Sequence, residues 1–271
     1  MSKIIPLILI LIYCSTSDAI VIRHDKSDDL YKYRTSATPA PALVTFTTPH
    51  KGDRYVVGSG TYIGNGWVIT AAHVANFFED VDNAEINGEY LSILDVTLHE
   101  KWRDRQVEYD IALVKISMPT KAVAPVSLFD YDLEVGETVT IAGRGDTGNG
   151  LVGMMPSDLK VRVAENKVEQ VKGQWISFTF NAPEQGALEY EGMCGGGDSG
   201  SPAYIIKDGT THILGLSSWQ DTEATNWKQG FYGVSDYYSN ISFYKQWLLK
   251  NLPQTDFLKK QPLLKGSLTE K

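Results

Sequence analysis

From Ala42 onward the chain consists of short apolar runs separated by turn signals, a spacing that leaves room for strands and little for helices. Residues 55–57, 60–63 and 67–70 read as strands, and Asn65-Gly66 is a two-residue hairpin turn between the last two. Residues 111–116, 135–142, 160–163, 175–180, 203–206 and 212–218 continue the pattern. A stretch rich in proline and small residues, 118–125, divides the chain near its middle and predicts two β domains joined by a linker. The clearest helix spans about 241–250, with Phe243–Trp247 and Tyr244–Leu248 spaced i, i+4. Ser239 or Asn240 is its expected cap, Pro253 follows it, and it is expected to pack on the second domain.

The two ends read differently. Lys3, the apolar run 4–13 and the small residues Ser17 and Ala19 form an export leader, with cleavage expected after Ala19. The run is shorter than the ~20 residues that span a bilayer, so no stable membrane anchor is expected. Cys14 does not mark lipid attachment, because the bulky Tyr13 precedes it. Residues 254–271 are polar with scattered leucines and read as a mobile tail. The expected division is a leader over 1–19, a first β domain over 20–120, a second over 121–253 that includes the helix, and the tail.

Charge and cysteine content exclude other classes. Lys+Arg 25 against Asp+Glu 33 gives a net charge of −8, which disfavours a nucleic-acid partner. Loss of the leader removes one of the 2 cysteines, so Cys194 has no intramolecular partner even in an export compartment that permits disulfides. The 5 histidines show no HxxH or HExxH spacing, and no CxxC is present, so no metal or cofactor is implied.

Three motifs occur in a telling order: Thr70-Ala71-Ala72-His73, then Asp110-Ile111-Ala112-Leu113, then Gly197-Asp198-Ser199-Gly200-Ser201-Pro202. A serine hydroxyl needs a base to become nucleophilic at neutral pH, and a histidine held by a carboxylate is such a base. His73 and Asp110 precede the linker and Ser199 follows it, so a site using all three must form where the domains meet. The order His, Asp, Ser also argues against the α/β-hydrolases, whose nucleophile comes first.

With Val139 to Gly145, Ser218-Trp219, Gly233-Val234 and the terminal helix at matching places, the chain resembles the trypsin/chymotrypsin family of serine endopeptidases. That resemblance implies an all-β fold of two antiparallel six-stranded β-barrels with a C-terminal helix. It implies His73, Asp110 and Ser199 as catalytic residues, and the amides of Gly197 and Ser199 as oxyanion donors. Asp198 would pair with a new α-amino group; Ile20-Val21 after the leader matches the family's activated start, although the usual following glycines are absent. Strand Ser218-Trp219 would pair with a peptide substrate. The pocket would be lined by Met193, Cys194, Ser218, Trp219, Gln220 and Gly233. Met193 stands where lysine- and arginine-cleaving relatives carry an aspartate, while Glu189 and Glu191 nearby keep a basic preference open. Gln220 would narrow the entry. The expected protein is a secreted or periplasmic monomeric endopeptidase acting on protein or peptide. Its rivals are an inactive binding module on the same fold and an esterase using the same triad.

Overall fold

The computed structural model describes residues 20–34, 42–50, 53–79, 82–123, 126–128 and 131–253. The leader, the 254–271 tail and part of the linker lie outside these residues. In chain order the first half contains β1 (Ile20–Ile22), α1 (Asp28–Tyr33), β2 (Leu43–His50), β3 (Asp53–Gly64), β4 (Trp67–Thr70), α2 (Ala72–Ala75), β5 (Asn83–Ile86), β6 (Glu89–Leu98) and β7 (Ala112–Ile116). Strands β2-β3-β4-β7-β6-β5 close into a barrel.

The second half contains β8 (Thr138–Gly143), β9 (Thr147–Asn149), β10 (Gly153–Met155), β11 (Arg162–Lys167), β12 (Gln170–Lys172), β13 (Trp175–Thr179), β14 (Gly192–Met193), β15 (Pro202–Lys207), β16 (Thr210–Asp221), β17 (Ser235–Asn240) and α3 (Lys245–Asn251). Its main sheet runs β11-β8-β15-β16-β17-β13-β12, every neighbour antiparallel. This is a chymotrypsin-like two-barrel architecture in which the second unit is a seven-stranded open sheet. A smaller sheet of order β10-β9-β1-β14 lies beside it.

Two expectations change here. Residues from 20 onward were assigned to the first barrel, but β1 pairs with β9 and β14 of the second half. Helix α1 follows it there, because Arg162, whose side chain is fully buried, binds Asp28 and Asp158. Helix α3 begins at Lys245, preceded by a turn through Ile241 to Tyr244. Neither Ser239 nor Asn240 caps it; Ser239 Oγ–H donates to Asp110 O and Asn240 Oδ1 accepts from Ser242 N–H.

Side-chain alternation explains how the halves meet. In β7, Ala112, Val114 and Ile116 enter the core of the closed barrel with Val44, Phe46 and Val68. Leu113 points the other way and joins Ile63, Ile69 and Ile111 in a second core with Ala142, Val163, Tyr204, Ile213 and Leu216. Trp247 and Leu248 of α3 pack into this same seam. The helix therefore sits over the junction of the halves, and their relation is set by apolar packing.

Candidate active site

Strand β4 ends at Thr70, and α2 starts two residues later after an extended Ala71. This short helix carries His73, whose side chain is 35% exposed. Asp110 is 2% exposed and enters from the loop before β7. His73 N–H donates to Asp110 Oδ1 at 2.8 Å, and His73 Nδ1 lies 2.7 Å from Oδ2. An ionised carboxylate only accepts, so this contact places the imidazole proton on Nδ1 and leaves Nε2 as the acceptor. Ser218 Oγ–H donates to Asp110 Oδ2 at 2.5 Å, and Ser239 Oγ–H to the Asp110 carbonyl at 2.7 Å. Strand β16 of the second half thus holds the carboxylate of Asp110, and β17 holds its backbone carbonyl.

Ser199 is tied to the same junction by its backbone. Its carbonyl accepts Ser59 N–H from β3 at 2.8 Å, and Gly200 N–H donates to Ser217 O at 2.7 Å. Thr70 Oγ1–H donates to Ser59 O at 2.6 Å, which links the end of β4 to this contact. Gly200 has φ +80, and a Cβ there would collide with Thr70 Oγ1 and Ser59 O and reach Ala71 N at 3.0 Å. Only glycine allows the approach. The backbone on either side of Ser199 therefore lies against Ser59, Thr70 and Ala71, two residues from His73, and against Ser217, one residue from Ser218.

The loop before Ser199 is shaped from behind. Gly197 has φ +83, Asp198 N–H donates to Gly195 O at 3.1 Å, and Asp146 N–H donates to Gly196 O at 2.5 Å. The Asp198 carboxylate is wholly buried. It accepts Arg144 N–H at 2.8 Å, Gly145 N–H at 2.6 Å and Gly195 N–H at 2.9 Å. No cation among the described residues pairs with it, and burial pushes its pKa up to about 6. Ile20 is also fully buried, with φ +60, and its carbonyl accepts Thr147 Oγ1–H at 2.9 Å. Strand β1 lies between β9 and β14, and β14 leads into the Cys194–Ser199 loop. Asp198 is bonded to the three amides rather than to Ile20.

The expected pocket residues separate into groups. Met193 is fully buried in an apolar cluster with Val21, Phe180 and Val234. Cys194 is a buried free thiol with its Sγ 2.7 Å from Tyr238 Oη, and burial pushes its pKa well up. Trp219 stacks on Tyr237 with ring centroids 4.0 Å apart, and meets Trp175 edge-on at 5.9 Å. Gly233, at φ +94, donates its N–H to Phe180 O at 2.8 Å. Gln220 Nε2–H reaches both Cys194 O and Asp236 Oδ1 at 2.8 Å. The two nearby glutamates are engaged elsewhere. Glu191 accepts the amides of Asn181 and Leu188, and Glu189 is largely exposed beside Lys26.

A model of the trypsin family matches residues 32–242, which is most of the chain. The chain belongs to the trypsin family. The complement C1s subcomponent of Rattus norvegicus is 28% identical over 263 residues, covering 84% of this chain and 36% of that protein. The calcium-dependent serine proteinase of Mesocricetus auratus is 27% identical over 249 residues, with 79% of this chain and 33% of that protein covered. The transmembrane protease serine 11E of Mus musculus is 26% identical over 219 residues, with coverage of 70% and 48%. The chain thus spans about a third to a half of the length of these relatives. No described helix is long and apolar enough to cross a membrane.

Within this trypsin-family chain, sequence reasoning missed Ser59, Asp236, Tyr238 and Ser239. Asp236 left a readable signal. It follows Gly233-Val234 at the start of β17, where Asp236 and Tyr238 are buried in phase with Val234 just before the strand, so a carboxylate occupies the inward phase. Ser59 and Ser239 left none, because they act through long-range hydrogen bonds to backbone carbonyls, Ser59 to those of Ser199 and Gly197 and Ser239 to that of Asp110.

Proposed function

We propose that the chain is an exported serine endopeptidase in which Ser199 is the nucleophile, His73 the general base and Asp110 the group that orients it. The observation that carries this reading is the paired contact of Asp110 with His73 N–H and Nδ1, beside a loop that brings Ser199 to the same junction. His73 Nε2 takes the Ser199 proton as Oγ bonds to the substrate carbonyl carbon. The oxyanion is met by the N–H groups of Gly197 and Ser199. The protonated imidazole then gives its proton to the departing amine as the C–N bond breaks, leaving an acyl-enzyme that water hydrolyses by the same steps. The substrate is a protein or peptide aligned on Ser218-Trp219.

Cleavage of residues 1–19 would leave Ile20 as the first residue. Its α-ammonium would supply a cation for the buried Asp198, so leader removal itself would complete the loop. Asp198 is wholly buried and no cation among the described residues pairs with it, which supports this assignment.

Labelling with a serine-directed fluorophosphonate, followed by peptide mapping, tests the reading. Modification at Ser199, with Ser199→Ala losing at least ~10⁴-fold in kcat on peptide amides, is the expected result. An unlabelled chain would point to a binding module, and turnover confined to simple esters would point to an esterase.

A further inference from the structure

The chain reaches the buried Asp110 from solvent, because residues 103–108 are all exposed. Tyr109, between that stretch and Asp110, has φ +58. A side chain makes this conformation costly, so it relaxes unless its surroundings hold it. Three successive peptide groups are tied here. Tyr109 N–H donates to Gln174 Oε1 at 2.8 Å, and Ser239 Oγ–H donates to Asp110 O at 2.7 Å. Between them Ile111 N–H donates to Tyr109 O at 2.9 Å, closing a tight turn over Asp110. The middle bond is local. The two outer ones come from side chains of the second half.

Gln174 is itself firmly rooted. Its carbonyl accepts Asn240 N–H at 2.9 Å, and the Gly173 carbonyl accepts Asn240 Nδ2–H at 3.2 Å, which fastens the base of the side chain to β17. The next residue, Trp175, pairs with Ser239 in the strand register, so the two outer anchors sit beside each other. Gln174 Oε1 also accepts Tyr244 Oη–H at 2.9 Å, which engages both lone pairs of the amide oxygen. The ring of the buried Tyr244 meets His99 edge-on at 5.6 Å, and His99 stacks on Tyr109 at 5.0 Å. Aromatic packing thus holds the Tyr109 ring while Gln174 holds its amide. The acceptor is neutral and adds no second negative charge beside Asp110. Without that oxygen Tyr109 N–H loses its partner and φ +58 its restraint, and relaxation to negative φ swings Asp110 relative to His73.

We propose that Gln174 is a positioning residue for catalysis: its amide oxygen, reaching across from the second half, holds Tyr109 in the left-handed conformation that aims the Asp110 carboxylate at His73. This inference rests on the reading of His73, Asp110 and Ser199 given above.

The test compares Gln174→Met, which keeps the length of the side chain and loses the acceptor, with Gln174→Glu, which keeps an oxygen at the same reach. On one peptide amide, Gln174→Met should lose roughly 10–100-fold in kcat while KM stays within about twofold of wild type, because the orientation of the base acts on proton transfer rather than on substrate binding. Gln174→Glu should recover kcat to within about fivefold of wild type, since its carboxylate accepts from the same two donors. A purely structural contribution would instead lower the melting temperature of both variants and leave kcat alone. An unchanged kcat in Gln174→Met, a loss carried by KM, or no recovery in Gln174→Glu overturns the proposal. Should Gln174→Met fail to fold, Gln174→Asn, whose oxygen falls one methylene short of Tyr109 N–H, is read in its place by the same criteria. Fluorophosphonate labelling of wild-type Ser199, together with a kcat indifferent to these variants, would sink this inference alone. An unlabelled wild type would sink the triad reading and this inference with it.

Discussion

Asp110 has polar contacts on both carboxylate oxygens and on its carbonyl, and together they leave its side chain one orientation. The residue before it, Tyr109, has φ +58 and donates its N–H to Gln174 Oε1 at 2.8 Å, so a strained backbone position sits next to the carboxylate that meets His73. Ser218 Oγ competes with His73 for Oδ2 while stabilising its charge. Ser218→Ala should therefore cost about 1.5–3 kcal/mol of transition-state stabilisation, seen mainly in kcat. An unchanged kcat, measured beside wild type on one peptide amide, would show that the hydroxyl only fills space. The motifs around His73, Asp110 and Ser199 were legible because each is a contiguous run. The Asp236–Gln220–Cys194 contacts were not, since they join residues 16 and 42 positions away from Asp236 along the chain.

Strands β4 and β7 show what an apolar run means at the scale of an element. Both faces are buried: Val68 and Val114 in the barrel, Ile69 and Leu113 in the seam. This is why the sequence reads as continuous hydrophobicity rather than alternation. Truncating Leu113 to alanine would leave a cavity between the halves and should cost about 2–5 kcal/mol in urea unfolding. A loss no larger than that of an exposed substitution would mean that the seam repacks freely. Turn chemistry was equally legible. Asn65-Gly66, at φ +50 and +73, makes the hairpin expected of it. Asn87-Gly88 joins β5 to β6 with nearly the same angles, φ +51 and +75, although no strands were assigned around it. The reason lies in β6, much of whose surface faces solvent, so its polar residues hide the strand period.

The whole molecule brings His73, Asp110 and the Ser199 loop to the seam, with β3, β4 and α2 supplied by one half and β16, β17 and the Ser199 loop by the other. The second half also buries two carboxylates, Asp198 raised to about 6 and Asp236 to about 7 from an ordinary 3.8. A raised carboxyl binds its proton more tightly folded than unfolded. Its stabilising share is therefore complete below the unfolded value and is lost as pH rises through the folded one. A chain retaining residues before Ile20 should thus lose thermal stability from about pH 5 to pH 8. A chain that begins at Ile20 should lose less, because an α-ammonium beside Asp198 favours its charged form, while the share from Asp236 persists. Melting both forms across that range checks this, and parallel curves would count against Ile20 as the partner of Asp198. By itself the sequence determined the strand-rich character, the first hairpin and the order of the His73, Asp110 and Ser199 motifs, because periodicity, turn residues and short motifs are local properties of a chain. Tertiary structure alone decided that β1 joins the second half, that the second sheet stays open, that α3 covers the seam and that Asp236 meets Gln220. Those outcomes depend on which distant surfaces bury one another and which buried polar atoms find partners, and no local window of residues carries that information.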